Sequence, residues 1–392
     1  MDAEPPVPET SVLAVASHVV SGNVGNKIAV FVLQSMGCDV SALNTVQFSN
    51  HTGYKQWKGT RVSAQEITDL WEGLKQSYLD KFDMMLSGYV PGAEAVEAVG
   101  NVAKELKEKA KAKPGSFFWV LDPVMGDNGK LYVAEDVVPA YRGLISYADL
   151  ILPNQFEAEL LSEVKIHDQA SLHRAIEVLH RKYGVPHVVI TSLPLPLSYP
   201  STLSPEPEQS HPPPTRTMSV VGSTMTSDRR PRPFRILFSV FDCYFSGTGD
   251  MFAALMVTRM REAVHNASSP SPSPSPSSSS TSTSGPSGSN GPEGSRSWLS
   301  PDDVEPLDLP LARAAEKVLA SMHEVLERTC KGMSAELRDA VRALDHKGVG
   351  SADDLDPKTA HLLRSRAAEL KLSRNLACLR NPRIAYHAEK MI

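Results

Sequence analysis

The sequence lacks the features that mark a membrane protein, a disulfide-rich fold or a nucleic-acid-binding protein. Its four cysteines, Cys38, Cys243, Cys330 and Cys378, are too scattered for a disulfide framework or a metal knuckle. No apolar run approaches the length of a membrane span, and a net charge of -5 gives no reason to expect nucleic acid as a partner. The acidic, proline-rich start at 1–10 has no signal-peptide pattern. A cytoplasmic or nuclear location is the expectation.

Two internal tracts are rich in proline, serine and threonine. Residues 194–233 are predicted to form an extended proline-rich loop, and residues 266–306 a Ser/Pro low-complexity segment that is disordered, because such a segment buries too little apolar area to offset its ordering entropy. A disordered tail is predicted for residues 1–10. Apolar residues recur at helical spacing over 311–326, after the second tract. Residues 11–392 are therefore predicted to form one domain that carries both tracts as insertions.

Elsewhere, short runs of Val, Ile, Leu and Phe alternate with longer amphipathic stretches. The predicted strands are Val12–Ala16, Val40–Gln47, Phe82–Leu86, Phe117–Leu121, Leu150–Leu152 and His187–Thr191. The predicted helices are Gly25–Met36, Ala64–Tyr78, Ala93–Ala112, Ala134–Tyr147, Asn154–Glu163 and Ala170–Tyr183. This alternation is typical of an α/β fold with an open, mostly parallel central sheet and helices on both faces.

A glycine-rich turn, Gly247-Thr248-Gly249-Asp250, precedes a helical run that starts at Met251. The glycines allow several backbone N–H groups to point in one direction, and the helix start adds unpaired donors and partial positive charge. Such a turn can hold a phosphate group, and the Asp250 carboxylate could take a proton from an attacking hydroxyl. A turn in which Asp250 merely caps the helix is an equally open interpretation of the tetrapeptide alone.

Polar side chains follow two of the predicted strands, at the sheet edge where ligands of open α/β folds bind. Asn154 and Glu157 stand one helical turn apart, and Asp122 and Asp127 flank another glycine-containing loop. Carboxylates suit Mg²⁺, which keeps much of its hydration shell. Asn154 and Glu157 also fit a capping box, which is favoured if they are considered alone. Asp122 and Asp127 also fit ordinary turns.

Two loops near the N terminus combine glycine, polar and aromatic residues. The loop over 22–27 has neither the P-loop spacing nor the Rossmann glycine spacing. The loop over 48–54 contains Phe48, His51 and Tyr54 among polar residues, a mixture that suits a flat heteroaromatic ligand. His51 alone is more often a structural histidine than a ligand-binding one.

Taken together in chain order, these motifs resemble those of the pyridoxal kinase family, in the ribokinase-like superfamily. The resemblance runs from about Leu13 to Thr329 and rests on Ser17-His18, Val46–Tyr54, Ser87–Tyr89, Asp122–Asp127, Pro153–Leu161, Val189–Ser192 and Gly247–Asp250. The Asn-x-x-Glu and Gly-Thr-Gly-Asp elements occur across the superfamily. The Gln-Phe-Ser-Asn-His-Thr-Gly-Tyr run is narrower and points to B6 substrates, and the insertions resemble those of fungal members.

The resemblance implies ATP-dependent phosphorylation of the primary hydroxymethyl group of pyridoxal, pyridoxine or pyridoxamine. Pyridoxal would give pyridoxal 5′-phosphate. It also implies Mg²⁺ or another divalent cation, a monovalent cation (K⁺ or Na⁺), and a homodimer. Asp250 would be the catalytic base, and the anion hole would be Gly247, Thr248 and Gly249. The substrate-binding residues would be Ser17, Thr52, Phe48, His51 and Tyr89. The ATP-binding residues would be Asp122, Asn154, Glu157, Thr191, Ser192, Thr248 and Tyr132, and the metal-binding residues Asp122, Asp127 and Glu157.

The sequence departs from the family pattern at a few positions, and other functions stay open. Leu152 stands where animal relatives usually have Thr, and Ser246 replaces a more common aliphatic residue or Thr. The alternatives are a hydroxymethylpyrimidine-type kinase of the same fold, a non-catalytic B6- or ATP-binding regulator, and a scaffold that acts through its Ser/Pro tract. The kinase interpretation requires that the Gly247 turn, the Asn154 helix start and the Ser17 loop meet at one edge of the sheet.

Overall fold

The structure, a computed structural model, describes residues 5–194, 217–269, 291–344 and 355–391. The strands are β1 (Ser11–Val19), β2 (Asp39–Phe48), β3 (Gly59–Arg61), β4 (Met84–Ser87), β5 (Phe118–Leu121), β6 (Gly126–Asp127), β7 (Lys130–Leu131), β8 (Leu150–Ile151), β9 (His187–Leu193), β10 (Thr217–Met225), β11 (Pro231–Ser239) and β12 (Ala388–Lys390). The helices are α1 (Asn26–Ser35), α2 (Ala64–Gln76), α3 (Ala93–Ala110), α4 (Val137–Leu144), α5 (Gln155–Ser162), α6 (Gln169–Arg181), α7 (Thr248–Ser268), α8 (Pro310–Ala343), α9 (Pro357–Ala367) and α10 (Leu376–Arg380).

One central sheet has the strand order β12-β11-β10-β9-β8-β5-β4-β1-β2-β3. The strands from β9 to β2 in this order are parallel to their neighbours. Antiparallel strands extend both edges, with β3 on one side and β10, β11 and β12 on the other. Strands β6 and β7 form a separate hairpin. The predicted open, mostly parallel α/β sheet is confirmed.

Helices cover both faces of the sheet because the parallel strands are apolar on both faces. In β1, Val12 and Ala14 belong to one buried apolar cluster, whereas Leu13 and Val15 belong to another, as the alternation of side chains along a strand requires. The first cluster includes apolar residues of α1, α7, α8 and α10. The second includes apolar residues of α2, α3, α4, α5 and α6.

The predicted loop over 194–233 is wrong for residues 217–225 and 231–233, which lie in strands. Residues 217–225 form β10 and residues 231–239 form β11, which extend the sheet beyond β9. Val220 and Val221 of β10 are fully buried, one in each apolar cluster, and this burial stabilises a strand despite the polar residues around it. The remainder of the predicted loop, 195–216, lies outside the described residues.

The predicted disorder over 266–306 is wrong at both ends of that range. Helix α7 continues to Ser268, and the described chain resumes at Gly291. Trp298 is buried, its ring stacks on Phe118 with centroids 4.1 Å apart, and its Nε1–H donates to the carbonyl of Gly115 at 2.9 Å. Residues 270–290 lie outside the described residues.

The predicted disordered tail over 1–10 is wrong for residues 5–10. Val7 is buried in an apolar cluster, and the carbonyl of Thr10 accepts the N–H of Asp39 at 3.0 Å. Residues 1–4 lie outside the described residues, and the single domain stays a prediction. Within the described ranges, none of the helices is both long enough and apolar enough to cross a membrane.

Candidate active site

The carboxyl ends of the parallel strands open onto the start of α7. An ideal Cβ built on Gly88, just after β4, would lie 3.9 Å from Asp250 Oδ1 and 3.4 Å from Ala16 Cβ in β1. One built on Gly249 would lie 3.9 Å from Asp122 Oδ2, just after β5. The first turn of α7 therefore lies over the ends of β1, β4 and β5.

The turn before α7 requires glycine at position 247. Gly247 has a φ of 79°, in the left-handed region, and a Cβ there would lie 2.5 Å from the carbonyl oxygen of Asn23. No described side chain caps α7, so Asp250 is not its helix cap. The first N–H groups of this 21-residue helix are consequently available to a bound anion.

Asp250 is half-buried and is held by the loop that follows β1. Burial raises the pKa of Asp250 to about 6, although a hydrogen bond from the Gly25 backbone N–H and the nearby His51 both lower it. Gly25 packs against Ser17 so closely that a Cβ would lie 2.1 Å from the Ser17 carbonyl oxygen. Ser17, Gly25 and Asp250 are therefore neighbours.

Three carboxylates share this edge of the sheet. Asp122 is buried, and burial together with the charges of Glu157 and Asp250 holds the pKa of Asp122 well above its usual range. Burial also raises the pKa of Glu157 to about 7, against the lowering effect of its backbone hydrogen bonds. Repulsion of this kind is relieved by a bound cation.

Asn154 and Glu157 form the capping box that their spacing allowed. The Asn154 side-chain oxygen accepts the Glu157 N–H at 2.9 Å, and Glu157 Oε2 accepts the Asn154 N–H at 2.9 Å. Glu157 Oε1 also accepts the N–H groups of Met125 at 2.8 Å and Gly126 at 3.3 Å, and Asn154 Nδ2 donates to the Gly126 carbonyl at 2.7 Å. The box thus fixes the loop after β5 to the start of α5.

The β6–β7 hairpin carries the more exposed predicted residues. Asp127 is exposed and accepts the N–H of Asn128 at 2.7 Å. Tyr132 is 64% exposed, and its pKa is raised by partial burial and by the charge of Asp127. Thr191 and Ser192 are half-buried near the end of β9, the strand next to the β8 end that leads to Asn154.

The loop after β2 forms the aromatic side of the site. Phe48 is buried in a small cluster with Val19 and Val46, against which Tyr89 packs. Thr52 is exposed and begins a single 3₁₀ turn. His51 is buried, and its ring lies 4.7 Å from that of Tyr54.

Glu369 is a site residue that the sequence motifs did not reveal. Its carboxylate accepts the Tyr54 hydroxyl at 3.0 Å and the Asn23 N–H at 2.7 Å, and lies 3.1 Å from His51 Nε2. Glu369 belongs to none of the motifs on which the resemblance rests, which end at about Thr329. Its separation of 318 residues from His51 explains why local patterns could not find it.

The described residues do not form a complete metal site by themselves. Within the described ranges there is no group of three or more His, Cys, Asp or Glu side chains placed to hold a metal ion. Asp122 and Glu157 are close enough to perturb each other, whereas Asp127 acts on Glu157 from the exposed hairpin. A cation here would take further ligands from water or from a phosphate.

The three segments that the kinase interpretation requires at one edge do meet there. Ser17 lies near the end of β1, and Gly25, in the loop after β1, packs against Ser17 and donates its N–H to Asp250. Gly249 lies next to Asp122. Asp122 in turn faces Glu157 at the start of α5. The glycine turn, the Asn-x-x-Glu helix start and the Ser17 loop therefore surround one site.

Comparison with known proteins points to kinases. A family model described as phosphomethylpyrimidine kinase matches residues 37–201. A putative pyridoxal kinase of Schizosaccharomyces pombe is 35% identical over 83% of this chain and 87% of its own length. The pyridoxal kinase of Homo sapiens is 33% identical over 85% of this chain and 90% of its own length.

Comparison with a solved structure identifies the fold. The pyridoxal kinase of Leishmania donovani in complex with ADP and pyridoxamine is 26% identical, with a TM-score of 0.68 over 98% of this chain and 100% of its own. The predicted ribokinase-like fold is therefore confirmed. The alignments with the two pyridoxal kinases cover 83% and 85% of this chain, whereas the family model matches only residues 37–201. The chain belongs to the pyridoxal kinase family.

Proposed function

We propose that this protein transfers the γ-phosphoryl group of ATP to the primary hydroxymethyl group of pyridoxal, and of pyridoxine and pyridoxamine. The observation that carries the proposal is the position of Asp250, in the first turn of α7 beside the glycine turn and facing Asp122. The names of the relatives and the ADP and pyridoxamine of the Leishmania structure support the substrate class.

In the proposed reaction, Asp250 accepts the proton of the substrate hydroxyl as that oxygen attacks the γ-phosphorus. The new O–P bond forms while the bond to the β-phosphate oxygen breaks, and ADP leaves. The backbone N–H groups of Gly247, Thr248 and Gly249 stabilise the charge on the transferred group. A pKa of about 6 leaves Asp250 ionised at neutral pH, yet more basic than an ordinary carboxylate.

The remaining site residues have proposed roles on the two sides of this reaction centre. Binding of the pyridine ring and its substituents is assigned to Ser17, Thr52, Phe48, His51 and Tyr89. Binding of ATP is assigned to Asp122, Asn154, Glu157, Thr191, Ser192, Thr248 and Tyr132. The buried cluster around Phe48 and the exposed hairpin around Tyr132 support this division, because the first offers an apolar wall and the second an open side for a nucleotide.

Magnesium, or another divalent cation, is the proposed metal, held by Asp122, Asp127 and Glu157. The crowding of Asp122 and Glu157 supports this proposal, since a cation would relieve the repulsion between their carboxylates. When bound, Mg²⁺ would offset the charge of the ATP phosphates. A monovalent cation, K⁺ or Na⁺, is proposed from the resemblance alone; the buried Leu152 side chain offers it no oxygen.

A homodimer and a cytoplasmic or nuclear location also belong to this proposal. Their support is the resemblance for the dimer and the sequence composition for the location.

Replacing Asp250 with Asn tests the central assignment. The neutral amide cannot take the proton, so we expect turnover to fall by about 10²–10⁴-fold while folding and ATP binding are retained. The measurement is ADP release with pyridoxal, alongside ATP binding by calorimetry. Asp39→Asn is the control, because Asp39 is exposed at the opposite end of β2. Turnover near that of the unmodified protein in Asp250→Asn would remove Asp250 from the mechanism.

A hydroxymethylpyrimidine kinase is the second candidate, and the family-model match over residues 37–201 favours it. The matched region ends before Gly247, and the narrow motif at 47–54 argues for B6 substrates instead. An ATP-consumption assay across pyridoxal, pyridoxine, pyridoxamine and hydroxymethylpyrimidine separates the two. Preference for the pyrimidine would reverse the assignment, and binding without turnover of any substrate would indicate a regulator.

A further inference from the structure

The segment that follows α9 joins the two loops that flank the candidate substrate site. Glu369 belongs to this segment, and its side chain is only 11% exposed. Its Oε1 accepts the Tyr54 hydroxyl at 3.0 Å and lies 3.1 Å from His51 Nε2, in the loop after β2. Its Oε2 accepts the Asn23 N–H at 2.7 Å, in the loop after β1. One carboxylate thus links two loops that are distant from it in sequence.

The surroundings of Glu369 are built to receive this carboxylate. Gly22 has a φ of +99°, and a Cβ at this position would lie 2.5 Å from Glu369 Oε1, so a larger residue would displace the carboxylate. Asn23 Nδ2 donates to the Leu370 carbonyl at 2.9 Å. Leu370 is buried in an apolar cluster, which anchors the segment next to the site. The position of Glu369 is therefore fixed by packing on both sides.

A buried carboxylate is costly unless it is paired. Burial raises the pKa of Glu369, but hydrogen bonds from His51, Asn23 and Tyr54 outweigh burial and lower it below its usual value. Glu369 is therefore ionised at neutral pH, and an ionised carboxylate can only accept hydrogen bonds. In the 3.1 Å contact, His51 Nε2 is therefore the donor, and the carboxylate fixes the orientation of the His51 ring.

The two linked loops also contact the reaction centre. The carbonyl of Asn23 lies against Gly247, as the 2.5 Å distance to an ideal Cβ there indicates. Two residues later, the Gly25 N–H donates to Asp250. His51 lies close enough to Asp250 to stabilise its ionised form. Displacement of Glu369 would therefore shift both the loop that holds Asp250 and the aromatic residues around His51.

We infer that Glu369 is a positioning residue, which holds His51 and the loop over 22–25 in the arrangement that binds the B6 ring next to Asp250. The inference rests on the proposed function and adds to it a residue that acts through others. Glu369 acts indirectly, because both of its carboxylate oxygens already accept hydrogen bonds from the protein groups that it orients.

The test is the variant Glu369→Gln, which keeps the size of the side chain but replaces one acceptor oxygen by an NH₂ donor. Loss of a charged acceptor inside a site typically weakens binding about 10-fold or more, so we expect the KM for pyridoxal to rise by about that factor. The KM for ATP should rise by a smaller factor, about 2-fold or less, because Glu369 reaches the nucleotide side indirectly, through the contact of Asn23 with Gly247. Pyridoxal binding without ATP, measured by absorbance titration, should weaken in parallel.

Glu336→Gln is the matched control. Glu336 pairs with Lys371 Nζ at 2.6 Å. This variant therefore breaks an ion pair two residues from Glu369 and keeps the hydrogen bonds of Glu369 to Tyr54, His51 and Asn23. Its KM for pyridoxal should be unchanged. Tyr54→Phe removes one donor to Glu369 and should raise the KM for pyridoxal about 3-fold. Its effect should be less than additive with Glu369→Gln, because both changes break one network.

The two substrates make the outcome decisive. A folded Glu369→Gln with an unchanged KM for pyridoxal would overturn the inference. It would also be overturned if the KM for pyridoxal and the KM for ATP rose by the same factor in Glu369→Gln, or if Glu336→Gln raised the KM for pyridoxal as much as Glu369→Gln does. If Glu369→Gln does not fold, an unchanged KM for pyridoxal in Tyr54→Phe overturns it equally. Failure of the proposed function is seen separately, because the unmodified protein would then turn over no B6 vitamer.

Discussion

At the scale of single residues, the site contains carboxylates whose burial and mutual repulsion lower the stability of the folded protein. Asp122, Glu157 and Asp250 all have pKa values raised by burial, and the charges of Glu157 and Asp250 raise that of Asp122 further. Folding would favour apolar or paired residues at these positions. Such concentrations of perturbed groups are typical of functional sites, where stability is given up for chemistry.

The raised pKa of Asp250 predicts a pH dependence of the reaction. Asp250 must be ionised to accept the substrate proton, so kcat/KM should fall as the pH drops through about 6. Above that pH the carboxylate is charged, and the rate should level off. Initial rates with pyridoxine at saturating Mg-ATP, from about pH 5 to about pH 8, measure this limb. The apparent pKa belongs to the cluster, because the charges of Glu157 and Asp250 both act on Asp122.

Loss of folded protein at low pH would mimic this limb. The control is protein held at each pH and then assayed at neutral pH, where full activity should return. An acid limb near the ordinary carboxylate pKa of about 4 would show that Asp250 does not act as a base with a raised pKa.

At the scale of helices and strands, the strongly periodic elements were predictable and the edge strands were not. The six predicted strands correspond to β1, β2, β4, β5, β8 and β9, and the six predicted helices to α1–α6. Strand β11 begins with Pro231 and Pro233, which local patterns read as loop residues. Pairing with β12 begins only at Phe234, so the prolines stand where proline is tolerated, at the start of a strand.

The start of α5 shows why a motif alone could not decide between a structural and a binding role. The spacing of Asn154 and Glu157 fits a capping box, and the structure contains that box. The same Glu157 carboxylate also accepts two N–H groups from the loop after β5 and faces Asp122. The same arrangement of Asn154 and Glu157 serves helix capping and the proposed binding role, so the Asn-x-x-Glu pattern cannot distinguish the two.

Replacing Asn154 with Ala separates the two roles by comparison with a second capping box. Asp168 caps α6 in the same way, since its side chain accepts the Ser171 N–H at 2.7 Å. Loss of either cap should lower the free energy of unfolding by about 1 kcal/mol, measured by urea denaturation. Only Asn154→Ala should also raise the KM for ATP, because only Asn154 holds the loop that carries the proposed metal ligands.

Equal kinetic behaviour of Asn154→Ala and Asp168→Ala would show that Asn154 is a cap and nothing more. The comparison stays informative even if both variants are less stable than expected, because each protein is assayed well below its own unfolding midpoint.

At the scale of the whole molecule, what escaped prediction depends on contacts between distant parts of the chain. Glu369 reaches His51 across 318 residues, and Trp298 reaches Gly115 across 183. Local propensity and periodicity carry no information on such pairs. The sequence therefore predicted which segments surround the site, but not the C-terminal segment that packs against them.

The position of the Ser/Pro tract predicts that its central part can be removed. The residues that the structure describes stop at Ser269 and resume at Gly291. A Cβ on Gly291 would lie 2.7 Å from Ser268 Cα, so these two residues are in contact. The Glu293 N–H donates to Ser268 Oγ at 3.1 Å, so the two ends of the gap meet. Because a short linker can join ends that already touch, replacing 270–290 with two glycines should keep the activity. The shorter loop should raise the free energy of unfolding by up to about 2 kcal/mol, at about 0.6 kcal/mol for each halving of loop length.

Activity with pyridoxal and urea unfolding of the shortened protein measure this prediction, and Trp298→Ala provides the contrast. Trp298 lies just beyond the removed part but is buried against Phe118, so its truncation should cost about 3–5 kcal/mol of unfolding free energy. If the shortened protein instead loses stability on the scale of Trp298→Ala, or loses activity while folded, residues 270–290 contribute to the folded kinase and are not a dispensable insertion.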